Sequence, residues 1–152
     1  NSCVSGGALG SAWSLVTLRG CTFVGNHGTL GAALGCWSAT SAILENCLLA
    51  FNGLGPAVAC EDAGAMLTCC DVYGNAGGDY VDCLANQADG NISADPLFCN
   101  PAEGDFRIDA CSPCAPGGTP GCGVIGSQGI GCSTTPARVE SWGRIKEAFL
   151  ER

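Results

Sequence analysis

A repeat of 23 to 26 residues runs through the first half of the chain and constrains its fold more than any other feature. Four positions recur together, as a leucine, a cysteine, an apolar residue and an asparagine, at offsets of 26 and then 23 residues. The three copies are Leu18-x-x-Cys21-x-Phe23-x-x-Asn26, Leu44-x-x-Cys47-x-Leu49-x-x-Asn52 and Leu67-x-x-Cys70-x-Val72-x-x-Asn75. A period of this length is typical of proteins built from stacked structural repeats.

A second cysteine position repeats in step with the first. Each copy follows three mostly small or apolar residues, in Ala33-Leu-Gly-Cys36, Ala57-Val-Ala-Cys60 and Tyr80-Val-Asp-Cys83. The series begins with Ala8-Leu-Gly-Ser11, where serine replaces cysteine. Two registers that advance together indicate that whole units of the chain, and not isolated motifs, are repeated.

Each unit consists of short apolar and polar alternations broken by glycine and asparagine, which is typical of strands and turns. A leucine-rich repeat is of similar length, but its leucine consensus and helical segment are absent. We therefore predict an all-β fold, a short right-handed parallel β-helix of about four to five coils. Equivalent residues would then form columns, with the leucines and apolar residues inside. The predicted asparagine ladder at one turn is Asn26, Asn52 and Asn75.

Two short elements of the repeat resemble those of a known family. Phe23-Val-Gly-Asn26 resembles the F-x-x-N element, and Gly6-Gly-Ala-Leu9 the G-G-A-[ILV] element, of polymorphic outer-membrane proteins and related bacterial secreted β-helix repeat proteins. The later copies are degenerate. Residues 92–98, with Gly104-Asp-Phe-Arg-Ile108 and Ser112-Pro113, resemble the closing coil of such proteins. The resemblance implies a β-helix, an exterior location and adhesion as a common role, and it implies no particular activity.

The chain has 13 cysteines but a single histidine, His27, and its only C-x-x-C pair is Cys111 and Cys114. Zinc sites use paired short spacings with further ligands, so this pattern favours disulfides and an extracellular or cell-surface location. The odd number leaves at least one cysteine free or bonded to another chain. The disulfide candidates are Cys21, Cys47, Cys70, Cys36, Cys60, Cys83, Cys99, Cys111, Cys114, Cys122 and Cys132.

The pairing of these cysteines stays open. Neighbouring coils lie about 4.8 Å apart, which is within the separation that a disulfide spans, so at least one of the two repeat columns is expected to contain an inter-coil bond. The alternative is that these inward cysteines are thiols packed in the core. Cys69 is a candidate partner for an unpaired column member, and the five cysteines from Cys99 to Cys132 are expected to bond mainly among themselves.

We predict three regions: β-helix coils at 1–98, a disulfide-rich irregular cap segment at 99–133, and a linker with an amphipathic tail at 134–152. The tail has apolar residues at helical spacing, Trp142, Ile145, Phe149 and Leu150. It is expected to cap its own β-helix, to bind the open end of a neighbouring subunit, or to act as a secretion or anchoring signal. The coil pattern begins within the first ten residues, so no N-terminal cap is predicted.

Charge and hydropathy exclude several partners. The net charge is −8, which disfavours nucleic acid because phosphate contacts need a basic patch. No apolar run is long enough to span a membrane. The chain starts at Asn1 without a leader-like segment, which suggests a processed form. Residues 1–135 carry two arginines and eleven acids, whereas 136–152 carry four cations and three acids, so an acidic body precedes a mildly basic tail.

We predict a non-catalytic extracellular structural protein without a metal or cofactor, whose partner is a second copy in a head-to-tail filament or a cell surface. The alternative is a carbohydrate-binding or polysaccharide-cleaving β-helix. A cleaving enzyme needs paired carboxylates, and the best acidic cluster is Glu61, Asp62 and Asp82, which is more simply a solvated turn face. A glycan would need exposed rings, and Trp13 and Trp37 occupy near-equal repeat positions where they would form an outer pair.

Overall fold

The computed structural model describes residues 1–133, which form a parallel β-solenoid of about five turns. The predicted fold class is confirmed. Twelve short strands form four parallel sheets, with one strand per coil in each sheet. Sheet I contains β1 (Ser2–Ser5), β5 (His27–Leu30) and β9 (Gly53–Leu54); sheet II contains β2 (Leu9–Ala12), β6 (Leu34–Trp37) and β10 (Val58–Glu61); sheet III contains β3 (Leu15–Arg19), β7 (Ser41–Glu45) and β11 (Gly64–Thr68); sheet IV contains β4 (Thr22–Val24), β8 (Leu48–Ala50) and β12 (Asp71–Tyr73).

The register between coils follows the sequence repeat. In sheet III the Cα partners of Leu44 are Leu18 in the coil before and Leu67 in the coil after. In sheet IV, Leu49 pairs in the same way with Phe23 and Val72. These columns fill the interior, where the second-coil residues Leu34, Leu44 and Leu49 are completely buried. The repeated apolar positions therefore form one continuous core along the solenoid axis.

Residues in the left-handed conformation mark the corners between sheets. Gly20, Asn46 and Cys69 have φ of 56°, 52° and 53° at the corner between sheets III and IV, one residue before the first cysteine column. The corner before the asparagine column is formed by Gly25, Phe51 and Gly74. Glycine adopts this conformation without steric cost, whereas a bulky residue such as Phe51 adopts it only where the surrounding coils impose it.

One end of the solenoid is covered by residues 76–95, which continue the coil path without regular strands. The backbone N–H groups of Ala76 and Gly77 donate to Asn52 and Gly55, and the N–H of Val72 donates to Ile92. A 3₁₀ turn at Asp82–Leu84 packs against sheet II and buries Leu84 in the core. We call residues 76–95 the end cap. Their contacts cover part of the outer edge of the third coil, and at β11 the hydrogen bonds are made with the side chains of Gln87 and Asn91.

Residues 96–133 form a layer on the side of the solenoid, which we call the side layer. It contains β13 (Phe98–Asn100), β14 (Asp105–Asp109) and β15 (Ile130–Cys132), which form a small mixed sheet. Its apolar residues Ile108 and Ile125 are buried against Leu48 and Ala50, on the outer face of sheet IV. The sequence-based description of 99–133 as an irregular cap therefore needs correction, because this segment covers a flank and residues 76–95 cover the end.

The predicted linker and tail, 134–152, lie outside the described residues. The same holds for the tail residues Trp142, Ile145, Phe149 and Leu150.

Candidate functional site

Within residues 1–133, one end of the solenoid, at the first coil, has no strand stacked on it. Strands β1 to β4 are all terminal strands of their sheets, and each pairs only with the second-coil strand behind it. No other part of residues 1–133 pairs with their outer edges. Such edges present unpaired backbone N–H and C=O groups, which another strand can bind. We call this end, formed by residues 1–24, the open end.

The interior of the solenoid is also accessible at the open end. Leu9, Val16, Leu18 and Phe23 occupy inward positions of the first coil and are only partly buried. Their second-coil equivalents, such as Leu44, are fully buried, and at the capped end Val72 is buried as well. Accessible core side chains and four strand edges without a strand partner therefore occur together at the first coil, whereas residues 76–95 cover part of the third-coil edge.

Exposed apolar residues extend this surface to the outside of the first coil. Val4, Trp13 and Leu15 are 74%, 79% and 71% exposed. They lie on sheet I, at the corner after sheet II and on sheet III, so exposed apolar side chains occur on several sides of the first coil.

The structure places Asn26, Asn52 and Asn75 in one column at a turn. The Oδ1 atom of Asn52 accepts from the backbone N–H and the side-chain amide of Asn26, at 3.0 and 3.1 Å. The Asn52 amide donates in turn to Oδ1 of Asn75 at 2.8 Å and to the carbonyl of Phe23 at 3.0 Å. Asp79 of the end cap accepts from Asn75 and closes the column. The ladder thus binds three coils and the cap together through buried amides.

Cys21, Cys47 and Cys70 form a column of thiols between sheets III and IV. Each sulfur contacts backbone carbonyls; the Cys47 thiol approaches the carbonyl of Leu18 at 3.5 Å, and the Cys70 thiol that of Leu44 at 3.3 Å. A hydrogen bond with Cys70 and burial both raise the pKa of Cys47. The expectation of an inter-coil bond is not met in this column, whose members are core thiols.

The second column does contain an inter-coil disulfide. Cys60 is bonded to Cys83, 23 residues later, with a Cα separation of 5.9 Å. Cys36 is the Cα partner of Cys60 on the other side and remains a buried thiol, and Ser11 is the Cα partner of Cys36. The disulfide therefore joins the third coil to the end cap.

Two further disulfides hold the side layer. Cys99–Cys132 lies within it, as predicted for the C-terminal cysteines. Cys122 instead bonds to Cys69, at the corner of the third coil, and so attaches the side layer to the solenoid. Cys69 was a candidate partner for an unpaired member of the cysteine columns, but its partner is Cys122 of the side layer. Cys111 and Cys114 are thiols, the first exposed and the second buried.

A buried carboxyl group lies in the seam between the solenoid and the side layer. Asp71 points outward from β12, where one carboxylate oxygen accepts from the backbone N–H of Ala94 at 3.1 Å and the other from the Cys114 thiol at 3.1 Å. Burial raises its pKa to about 6, and the charges of Asp79 and Asp95 act in the same direction. Burial, followed by the charge of Asp71, also raises the pKa of Cys114.

Sequence reasoning assigned no role to Asp71, although a signal was present. Asp71 shares an outward column with Thr22 and Leu48. A leucine at an outward position indicates that the face is covered, and the side layer does cover it, with the N–H of Ser127 donating to the Thr22 hydroxyl at 2.8 Å. The repeat was recognised from the Leu, Cys, apolar and Asn positions, and the outward column of Thr22, Leu48 and Asp71 was not part of it.

The acidic residues considered for catalysis lie next to the bonded cysteines Cys60 and Cys83 in sequence. Glu61, Asp62 and Asp82 are exposed. The two arginines within residues 1–133 pair elsewhere, Arg19 with Glu45 at 2.6 Å and Arg107 with Asp105 at 2.7 Å. Within the described range, no group of three or more histidine, cysteine, aspartate or glutamate side chains is arranged to hold a metal ion.

The two tryptophans do not form the outer pair that was expected. Trp37 is the Cα partner of Ala12, one residue before Trp13. The Trp37 ring covers the glycine pair Gly10 and Gly35 on the outer face of sheet II, where a Cβ on Gly35 would lie 2.3 Å from the ring. Trp13 occupies the left-handed corner with φ of 56°. Because Trp13 lies one residue beyond the position equivalent to Trp37, the two rings lie on different surfaces.

These features define the class as a disulfide-containing parallel β-solenoid with one open and one capped end. Comparison with protein-family models, with curated proteins and with solved structures found no match. Among the described residues no helix is both long and apolar enough to cross a membrane. The open end and the cysteine columns are the features of residues 1–133 that bear most directly on function.

Proposed function

We propose that this chain is a non-catalytic extracellular structural protein that assembles head to tail, with the open end of one copy binding the C-terminal tail, 134–152, of the next. The observation that carries the proposal is the open end itself. Unpaired edges of four parallel strands and accessible core side chains occur there together, and both are satisfied when a further segment stacks on the first coil.

The tail supports this choice of occupant. Its four apolar residues, Trp142, Ile145, Phe149 and Leu150, are of the kind that fits partly buried positions such as Val16 and Leu18. The other end of the solenoid is already covered by residues 76–95, so the tail is not needed there. A contact between two different surfaces of the same chain does not close on itself, and it generates a filament.

The cysteines support an extracellular location. Three disulfides are present, which is consistent with an oxidising environment. Four of the seven thiols are buried and therefore protected from oxidants. Cys3, on strand β1 of the open end, and Cys111 are exposed, and either is accessible for a bond to another chain.

Sedimentation velocity of the full chain over a range of concentrations tests the proposal. We expect species larger than a monomer to grow with concentration, and a chain ending at Ser133 to remain monomeric. Val16→Lys, which places a charge at an inward position of the open end, should abolish assembly. Thr17→Lys on the same strand faces outward and is the matched control. A full chain that stays monomeric, or a Val16→Lys variant that still assembles, would refute the proposal.

A further inference from the structure

Three cysteines of successive coils share one column but only one disulfide. Cys36, Cys60 and Cys83 occupy the same position in the second coil, the third coil and the end cap. The bond joins Cys60 to Cys83, and Cys36 is left as a thiol. Cys60 therefore has a possible bonding partner on each side along the axis.

The geometry of the column suits attack by Cys36 on this bond. Cys36 and Cys60 are Cα partners in adjacent parallel strands, and such strands lie about 4.8 Å apart, which is within the Cα separation of disulfides. Both side chains belong to the inward face, where Cys36 is fully buried and Cys60 and Cys83 pack against the same core. Cys36 and Cys83 also lie on opposite sides of Cys60, as an attacking and a leaving sulfur must in thiol–disulfide exchange.

We propose that the disulfide of this column migrates along the solenoid, from Cys60–Cys83 to Cys36–Cys60, and thereby releases the end cap from its covalent link to the third coil. In this step Cys36 loses its thiol proton and its sulfur attacks the Cys60 sulfur. A Cys36–Cys60 bond forms, the Cys60–Cys83 bond breaks, and Cys83 leaves as a thiolate that takes up a proton. One disulfide and one thiol are present before and after, so no oxidant or reductant is consumed.

Burial sets the rate of the exchange. It raises the pKa of Cys36, so little of the reactive thiolate exists at neutral pH. Migration should accelerate about tenfold per pH unit while the thiol is mainly protonated. The partly exposed Cys83 is the leaving sulfur, and its release toward solvent favours completion of the step.

The consequence for assembly rests on the proposed function. The Cys60–Cys83 bond fastens the 3₁₀ turn Asp82–Leu84 to β10, and with it the cover over the third-coil edges. Once the bond has moved, the cap is held by noncovalent contacts, such as those of Leu84 and the hydrogen bond from Leu67 N–H to the Gln87 side chain. A cap that opens more readily exposes a second stacking surface, at which the tail 134–152 of another copy can bind in addition to the open end.

Disulfide mapping of the full chain tests the migration itself. The chain is held at pH 7.0 or 8.5, quenched with acid, alkylated with N-ethylmaleimide, digested with pepsin and analysed by mass spectrometry. We expect Cys36–Cys60 linked peptides and alkylated Cys83 to accumulate, faster at the higher pH. Finding only Cys60–Cys83 with alkylated Cys36 at both pH values would overturn the proposal.

Variants separate the column from the rest of the core. Cys36→Ser, which copies Ser11 one coil below, should hold the bond at Cys60–Cys83. Cys47→Ser removes a buried thiol of the other column and should leave migration unchanged. Cys83→Ser, incubated with reduced and oxidised glutathione, should form Cys36–Cys60; if both cysteines of this variant stay reduced, the column cannot accommodate the bond and the proposal is wrong.

The same Cys83→Ser variant tests the link to assembly. We expect it to assemble at a lower concentration than the wild-type chain in sedimentation velocity. If the bond migrates but assembly of the variant is unchanged, the release of the cap has no role in assembly. If the wild-type chain does not assemble at all while migration is observed, the proposed function fails and the migration stands.

Discussion

Single polar residues carry much of the cohesion between coils in this molecule. The side chain of Asn52 makes four hydrogen bonds, to groups of Asn26, Phe23 and Asn75, while it is 1% exposed. A buried group that loses its partner costs about 1 to 3 kcal/mol. Asn52 and Asn75 are therefore more important for stability than Asn26, because each bonds buried groups on both sides along the column.

Asn52→Ala should lower the free energy of unfolding by about 3 kcal/mol or more, because donors and acceptors on two coils lose their partner in a buried site. Asn26→Ala is the matched control at the open end of the ladder, where the side chain has one buried partner, Asn52, and a smaller loss is expected. Urea denaturation followed by circular dichroism measures both. Equal losses would show that the amides do not act as a ladder.

Asp71 gives the stability an unusual pH dependence. Its pKa is about 6 in the folded chain, against about 3.9 in an unfolded one. The folded state therefore binds the proton more tightly, and this contribution to stability is complete below pH 4 and lost as the pH rises through 6. A shift of about two pKa units corresponds to about 3 kcal/mol.

Asp71→Asn should keep an acceptor for the Ala94 N–H but carry no charge. Relative to the wild-type chain, we expect its free energy of unfolding to increase by up to about 3 kcal/mol between pH 4 and pH 7. Taking the difference between the two chains removes the effect of Asp105, whose pKa Arg107 lowers to about 2. A difference that stays constant over this range would mean that Asp71 does not titrate in the seam.

At the scale of elements, the inward positions could be predicted from sequence and the outward ones could not. The Leu44 and Leu49 columns follow from the repeat because stacking forces equivalent residues together. We predicted a cap segment at 99–133, whereas residues 76–95 cover the end of the solenoid. They were assigned to the coils because they keep the coil path, although they lose the strand pattern. Spacing cannot reveal the Cys69–Cys122 pairing either, since it depends on how a nonrepeating segment folds back on sheet IV.

The side layer is held by this disulfide and by apolar packing, and the two contributions can be separated. Ile125→Ala should cost about 2 to 4 kcal/mol because it opens a cavity opposite Leu48. Cys122→Ser removes a bond that closes a loop of 53 residues, for which chain entropy predicts about 4 kcal/mol. Thermal unfolding of both variants measures the losses. Unchanged stability in Ile125→Ala would mean that the layer does not pack as described.

At the scale of the whole molecule, the described residues 1–133 are asymmetric along the solenoid axis. One end exposes strand edges and core side chains, and the other is covered by its own chain and fastened by a disulfide. A parallel solenoid that exposes an edge can grow there, so the proposed assembly has a defined direction. Residues 1–135 are acidic and the tail is mildly basic, so charge favours the proposed contact between the tail of one copy and the body of another.

Amide hydrogen exchange at low and high protein concentration tests the central claim, that the first coil is an open edge that a second chain completes. We expect amides of β1 to β4 to exchange quickly in dilute solution and to become protected at high concentration, while those of β5 to β8 are protected in both. If the first coil is already protected in dilute solution, or if its exchange does not depend on concentration, the open end is not the assembly surface.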